Sequence, residues 1–237
     1  SADNNWEIAQ EDYQKIMNNP KKIAKKSNGK VLVVAPQGFY DEAISENLYL
    51  GNSMLRRGSY MYGSFLPVDT CQNVGVGLGK RVYTSSGSLL APSFEVIPDA
   101  DGTKEMLIDG LHFLFQNAPG TEAPAEFHFL IKEYKALCPG ENITHTMHNL
   151  LTPRGAKVRN AKAFGDVIHA TMQLADTYFD GEINVLLGVH HWPTWGTQAC
   201  KELMTKQRDL YYYFNNQVIH MLNKGMNMNE IAESFTL

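Results

Sequence analysis

A layered α/β sandwich is the fold class that this sequence of 237 residues predicts, and three observations predict it. Apolar runs at 30–35 and 183–189 have the length of strands buried on both faces. Between 94 and 137 the texture changes to short alternating segments separated by turns, an antiparallel meander. Amphipathic periods at 161–178 and 197–224 are long enough to be helices. Strands gathered in a meander, then alternating with helices, argue for helical layers on a mixed sheet rather than for a purely parallel one.

The elements follow in order. Residues 6–26 read as a polar helix, and Ser27-Asn28-Gly29 as the break before the strand at 30–35. Pro36-Gln37-Gly38 turns the chain, after which Ala43, Ile44, Leu48 and Leu55 carry helical spacing through 40–57. Residues 58–92 are rich in Gly and Ser, and a segment that long and irregular in a compact domain lines a site or is disordered. The meander is expected at 94–97, 105–108, 111–115, 127–131 and 135–137, with turns at 99–102 and at Asp109-Gly110. After the helix at 161–178 and the strand at 183–189 come the helix at 197–224 and a last one near 227, capped by Asn227 or Asn229. The expected division is an α/β part, 1–196, followed by an all-helical part, 197–237.

Composition excludes several function classes. The 21 basic and 25 acidic residues give a formal net charge of −4 and form no basic stripe, so nucleic acid is not an expected partner. The cluster Lys21, Lys22, Lys25 and Lys26 reads as a solvated helix end. Cys71, Cys138 and Cys200 are odd in number and form no C-x-x-C, so neither a disulfide framework nor a cysteine metal site is indicated. No apolar run approaches the ~20 residues that span a bilayer, and no integral membrane segment is expected. The compartment is left open between periplasmic or secreted and cytoplasmic.

Three strand ends carry residues suited to a metal. Ala118-Pro119-Gly120-Thr121-Glu122-Ala123-Pro124-Ala125-Glu126 is a turn between two strands with carboxylates at its apex; on its own such a turn is more often only solvated. Cys138-Pro139-Gly140-Glu141-Asn142 again places a carboxylate just past a strand, and Gly188-Val189-His190-His191-Trp192-Pro193 places imidazoles after another. Carboxylate oxygen and imidazole nitrogen together suit a cation such as zinc. Adjacent histidines point in different directions, so one of His190 and His191 is expected at the metal. His145 and His148 form an H-x-x-H without the glutamate of a zincin helix and are read as standing behind the metal ligands or facing substrate. Arg154 offers a planar fork of donors for a tetrahedral oxyanion. Gly75-Val76-Gly77-Leu78-Gly79-Lys80 lacks phosphate-loop spacing and reads as a loop over a pocket, which Tyr60, Tyr62 and Tyr83 are placed to line.

Taken together, 118–126, 141–150, 154–159 and 190–196, extended by Ser45-Glu46-Asn47, Tyr60-Met61-Tyr62-Gly63 and 75–80, resemble the linear alkyl sulfatases of the metallo-β-lactamase superfamily. The resemblance implies part of an αββα sandwich that holds two zinc ions, then the start of a helical dimerisation domain, hence a homodimer. It implies Glu122 and Glu141 as metal ligands, with Glu141 between the ions, and His190 as the last ligand with His191 in reserve. Glu126 is implied as a neighbour only. Asn149 through Arg154 would hold the sulfate of an alkyl sulfate ester, beside the pocket that Tyr62 and Tyr83 are placed to line, and His145 or His148 would assist its cleavage to alcohol and inorganic sulfate. The family's H-x-H-x-D-H motif does not occur in the sequence. The expectation is therefore a fragment of a longer enzyme, inactive alone and binding zinc weakly or not at all. The rivals are another hydrolase of the superfamily, acting on a thioester, lactam or phosphodiester, or a non-catalytic chain acting in assembly.

Overall fold

The structure, a computed structural model, describes residues 34–63, 65–67, 94–96, 102–152 and 157–237. Its contacts divide the chain into two units, 1–35 with 91–94, and 36–90 with 95–237. In the first unit the described residues are Val34, Ala35 and Phe94, at the ends of β1 (Val34–Pro36) and β2 (Phe94–Val96), which form a two-stranded sheet. The second unit contains everything that follows.

A six-stranded sheet organises the second unit, in the order β3 (Thr103–Ile108), β4 (Leu111–Asn117), β5 (Phe127–Ile131), β6 (Ala136–Cys138), β7 (Val185–Leu186) and β8 (Thr194–Trp195). Its first four strands form an antiparallel meander, with Phe115 opposite Phe129 and Phe129 opposite Cys138, but the segment expected as the meander's first strand, 94–97, is β2 and pairs with β1 in the other sheet. Asp109 and Gly110 both take left-handed φ, 51° and 84°, the tight two-residue turn whose twist matches the strands it joins. Strand β7 then pairs parallel to β6, with Leu137 opposite Leu186, so the chain between them must cross over the sheet.

That crossover carries α3 (Ala161–Tyr178), numbered after α1 (Phe39–Ile44) and α2 (Gly51–Tyr62). It begins where the Asn160 side chain accepts the Ala163 N–H, satisfying one of the unpaired first-turn donors. Phe164, Ile168, Thr171 and Ala175 return to one face at helical spacing and are buried. They meet Leu130, Leu137, Ile143 and Leu186 from the sheet side. Helix α4 (Thr197–Asn223) lies along α3, burying Cys200, Met204, Gln207 and Tyr211, and Tyr211 stacks on Phe164 at 4.5 Å. The two backbones come close at Gly165, where a Cβ would lie 2.5 Å from the Tyr212 ring. Helix α5 (Met228–Ser234) starts in a reciprocal capping box between Asn227 and Glu230, which selects Asn227 over Asn229 as the cap.

Opposite α3, the sheet shows a ladder of Phe113, Phe115, Phe127 and Phe129, with Phe115 and Phe127 edge to face at 5.1 Å.

Two further expectations change. The helix expected at 40–57 is α1, a π-type turn at Ser45–Tyr49, and then α2 as far as Tyr62. One extra residue in that turn breaks the 3.6-residue period which the apolar spacing alone implied. The strand expected at 183–189 is narrowed to two residues: a Cβ at Gly188 would lie 3.2 Å from the carbonyls of Ile143 and His190, and beyond Leu186 the chain turns back into β8. Residues 6–26, 30–33 and most of 58–92 lie outside the described residues.

Candidate metal centre

The turn that carries Glu122 is closed by backbone bonds on both sides. Ala118 N–H donates to Glu126 O at 2.8 Å, Gly120 N–H to Pro124 O at 3.2 Å, and the Thr121 hydroxyl to Ala118 O at 2.6 Å. Glu141 follows β6 through Pro139 and Gly140. Gly140 has φ 58°, and a Cβ there would lie 2.6 Å from Glu126 Oε1, so this turn needs glycine both for its backbone and for its neighbour. His148 follows on the irregular segment after Glu141. Its backbone N–H donates to the Tyr211 hydroxyl at 3.1 Å.

These elements converge. Donor atoms of Glu122, Glu141 and His148 all lie within 4.8 Å of one another. His148 Nε2 is 2.7 Å from Glu141 Oε2 and 3.9 Å from Glu122 Oε1. The other Glu141 oxygen, Oε1, is 3.0 Å from His190 Nε2. Arg159 clamps Glu122: its Nη2 donates to Glu122 Oε1 at 2.5 Å, its Nε to the Glu122 carbonyl at 2.6 Å, and its Nη1 to Asn149 Oδ1 and Thr152 Oγ1.

The charges follow from this crowding. The hydrogen bond to His148 holds the Glu141 carboxyl below its usual range, and the same bond raises the His148 imidazole against its own burial. Burial, followed by the negative charges of Glu122 and Glu141, pushes the Glu126 carboxyl up to about 8.

The donor set fits a divalent cation. Two carboxylates and imidazole suit zinc. His148 Nδ1 lies 3.0 Å from the Asn149 carbonyl, and donating there leaves Nε2 as the metal-facing nitrogen, the outer bond that ligating histidines commonly make. A group that raises Glu126 by negative charge is also one whose repulsion a cation would offset.

The expected site residues separate into three sets. Glu122, Glu141 and His190 come together, and His148, read from the sequence as standing behind the ligands or facing substrate, lies beside both carboxylates. His191, at φ 67°, turns its Nε2 to Thr146 Oγ1 at 3.2 Å, and His145 Nε2 meets Thr194 Oγ1 at 3.0 Å. Asn149 is held by Arg159. Arg154 and Tyr83 lie outside the described residues, and Tyr62 ends α2 half-buried. A cavity of about 240 Å³ opens beside Glu122 and Arg159, lined further by Glu42, Ser45, Leu50 and Met54; Tyr62 is not among the residues lining it. Sequence reasoning gave no role to Arg159, His128 or Asn142. Arg159 lay in the matched segment 154–159, but nothing in an irregular segment tells which carboxylate its guanidinium will meet.

Fold and site together define a mixed α/β domain with carboxylate and imidazole donors gathered at the ends of neighbouring strands. No family model matches the chain. It is 42% identical over 210 residues to a linear primary-alkylsulfatase of Pseudomonas sp., covering 88% of this chain and 30% of that protein. Over 216 residues it is 36% identical to the alkyl/aryl-sulfatase BDS1 of Saccharomyces cerevisiae, covering 91% of this chain and 32% of the relative. Among solved structures, the stereoselective inverting sec-alkylsulfatase Pisa1 from Pseudomonas sp. superposes with a TM-score of 0.77 at 35% identity, over 90% of this chain and 33% of that one. The chain is thus similar to alkylsulfatases along most of its own length, and it spans about a third of the length of these relatives.

Proposed function

We propose that the protein hydrolyses alkyl sulfate esters to an alcohol and inorganic sulfate at a zinc centre to which this chain contributes Glu122, Glu141, His148 and His190. The observation that carries the reading is the convergence of those four side chains from three loops, Glu141 and His148 sharing the one after β6, in a chain related to alkylsulfatases. Zinc, when bound, supplies the Lewis acidity that activates water at neutral pH. Glu141 is suited to lie between two ions because its two oxygens already face different imidazoles, Oε2 toward His148 and Oε1 toward His190. Its position favours His190 over His191 as ligand. Arg159 orients Glu122 and offsets its charge at Oε1, the same oxygen that His148 approaches. Arg154 and Asn149 bind the sulfate oxygens, with Tyr83 lining the pocket and His145 at its edge.

Two further parts belong to the same proposal. The boundary between the hydrolytic part and a helical dimerisation part falls at 196/197, after which every regular element is helical. Exposed Tyr213, Ile219, Leu222 and Met228 on α4 and α5 give a homodimer apolar surface to bury. Among the described residues no helix is long and apolar enough to cross a membrane.

The test is sulfate release from dodecyl sulfate by the complete gene product, before and after chelation and zinc reloading. Activity is expected to vanish on chelation and return with zinc. Arg154→Ala is expected to lower the rate by orders of magnitude while zinc content holds. Turnover that survives chelation refutes the zinc centre, and an unchanged rate in the variant refutes the sulfate site.

A further inference from the structure

Behind the carboxylates lies a chain of buried polar side chains that the reaction does not use. Asn142, His128 and Thr171 are fully buried, and Thr121 and Gln116 nearly so. They come from five different places: the loop after β6, strand β5, helix α3, the 118–126 turn and strand β4. Their hydrogen bonds form one connected path that ends at the backbone of Glu122.

The path allows a single arrangement of protons. The Glu122 N–H can only donate, and it points at Asn142 Oδ1 at 3.1 Å, so the Asn142 carbonyl faces Glu122 and its NH2 faces inward. The NH2 has two partners, Thr121 Oγ1 at 3.0 Å and His128 Nε2 at 2.7 Å. The Thr121 hydrogen is already given to Ala118 O, which leaves an oxygen lone pair for Asn142. His128 Nε2 must therefore accept, and its proton sits on Nδ1, facing Thr171 Oγ1 at 2.8 Å. Thr171 passes its own hydrogen to Gln116 Oε1 or Val167 O, both at 2.8 Å. Rotating the Asn142 amide would set NH2 against N–H, and a proton on His128 Nε2 would do the same one link further in. Burial holds the imidazole neutral, with its pKa lowered to about 3.

We propose that His128 is a positioning residue: neutral and protonated on Nδ1, it holds the Asn142 amide with its carbonyl turned to the Glu122 N–H, and thereby fixes the turn that presents Glu122 to the metal. The proposal rests on the reading of Glu122 as a ligand. The 118–126 turn has its own backbone closures, but these bind its two ends to each other and not to the loop that bears Glu141. Asn142 is adjacent to Glu141 and bonds across to Glu122. The path thus ties two ligand-bearing loops to one another, and His128 decides which way the connecting amide faces.

Two variants and one measurement on the wild type test it, all on folded protein. In the chelated wild type, imidazole 15N shifts are expected to show His128 as the neutral Nδ1–H tautomer. His128→Gln can still accept from Asn142 and donate to Thr171, whereas His128→Leu can do neither. The Leu variant is expected to speed exchange of the Glu122 amide by more than about tenfold relative to amides in α4, and the Gln variant to restore it. Zinc affinity, read by competition with a chromophoric chelator, is expected to fall roughly 10–100-fold in the Leu variant and to recover in Gln. An Nε2–H tautomer overturns the proposal, and because it is read in the wild type it does so even if the Leu variant does not fold. Unchanged Glu122 exchange in the Leu variant, or a Gln variant as impaired as Leu, overturns it equally. If tautomer and exchange behave as stated but zinc binding is the same in all three proteins, the relay holds the turn and the ligand role of Glu122 is what falls.

Discussion

Replacing Glu126 by Gln is expected to stabilise the metal-free protein at alkaline pH and to do almost nothing in acid. Glu126 ends the turn that bears Glu122, and its carboxyl is pushed from 4.5 up to about 8, first by burial and then by the charges of Glu122 and Glu141. Between those values the folded protein keeps a proton that the unfolded chain has released. With more protons bound in the native state, stability falls as pH rises; the loss begins near the unfolded value of 4.5 and levels off above about 8. Each unit of displacement is worth ~1.4 kcal/mol, so the full span is on the order of 3–5 kcal/mol.

The Gln side chain keeps the shape and removes the titration. Glu141 and His148 also affect the pH profile. The lowered Glu141 carboxyl contributes stability that is lost in acid, and the raised His148 imidazole contributes stability that is lost as pH rises through its folded value. Both remain in the variant, so the difference between the two proteins isolates Glu126. Urea denaturation in EDTA at pH 5, 7 and 9, followed by far-ultraviolet circular dichroism, should show a difference near zero at pH 5 that grows to about 3 kcal/mol or more at pH 9. A difference that is the same at all three pH values would refute the crowding argument. Saturating zinc at pH 9 should shrink it, because a bound cation offsets the same negative charge.

Arg159→Met is expected to cost about 3 kcal/mol in urea denaturation at pH 7, since it leaves the partly buried Glu122 carboxylate without its counter-charge; a loss under about 1 kcal/mol would mean that solvent already satisfies Glu122. Asn227→Ala removes the side-chain half of the capping box of α5, the bonds that Asn227 Oδ1 accepts from the Asn229 and Glu230 N–H groups, and is expected to cost about 1 kcal/mol. Hydrogen exchange should show that loss confined to 228–234, and a loss spread through α4 would refute the cap's local role.

Most of the fold was legible because its elements repeat at their own periods. The meander strands alternate, and α3 and α4 keep one apolar face for 18 and 27 residues. Those signals failed where a local feature interrupted the period, at the π-type turn of Ser45–Tyr49 and at Gly188. Of the candidate site, the acidic strand ends could be read because Pro-Gly turns announce them. His148 and Arg159 could not, since both lie on irregular chain between 139 and 160, where no period says which way a side chain points. Their places are set instead by long-range partners, Tyr211 for the backbone of His148 and Glu122 for Arg159.

Tyr211 makes the helical segment part of the site. Its ring is fully buried against Phe164, and its hydroxyl, at the far end of that ring, accepts the His148 N–H. An irregular loop supplies few backbone bonds of its own, so a buried acceptor of this kind fixes the loop's height over the core. The contact also fixes a direction of dependence. Displacing α4 along α3 would carry the hydroxyl away from His148 and loosen an imidazole whose nitrogen lies 2.7 Å from Glu141. Glu141, in turn, is followed by Asn142, which bonds back to the Glu122 turn. The loops that carry Glu122, Glu141 and His148 are therefore referenced to the packing of α3 on α4 at one end and to the His128 relay at the other, and a change in helix packing reaches the carboxylates without touching them.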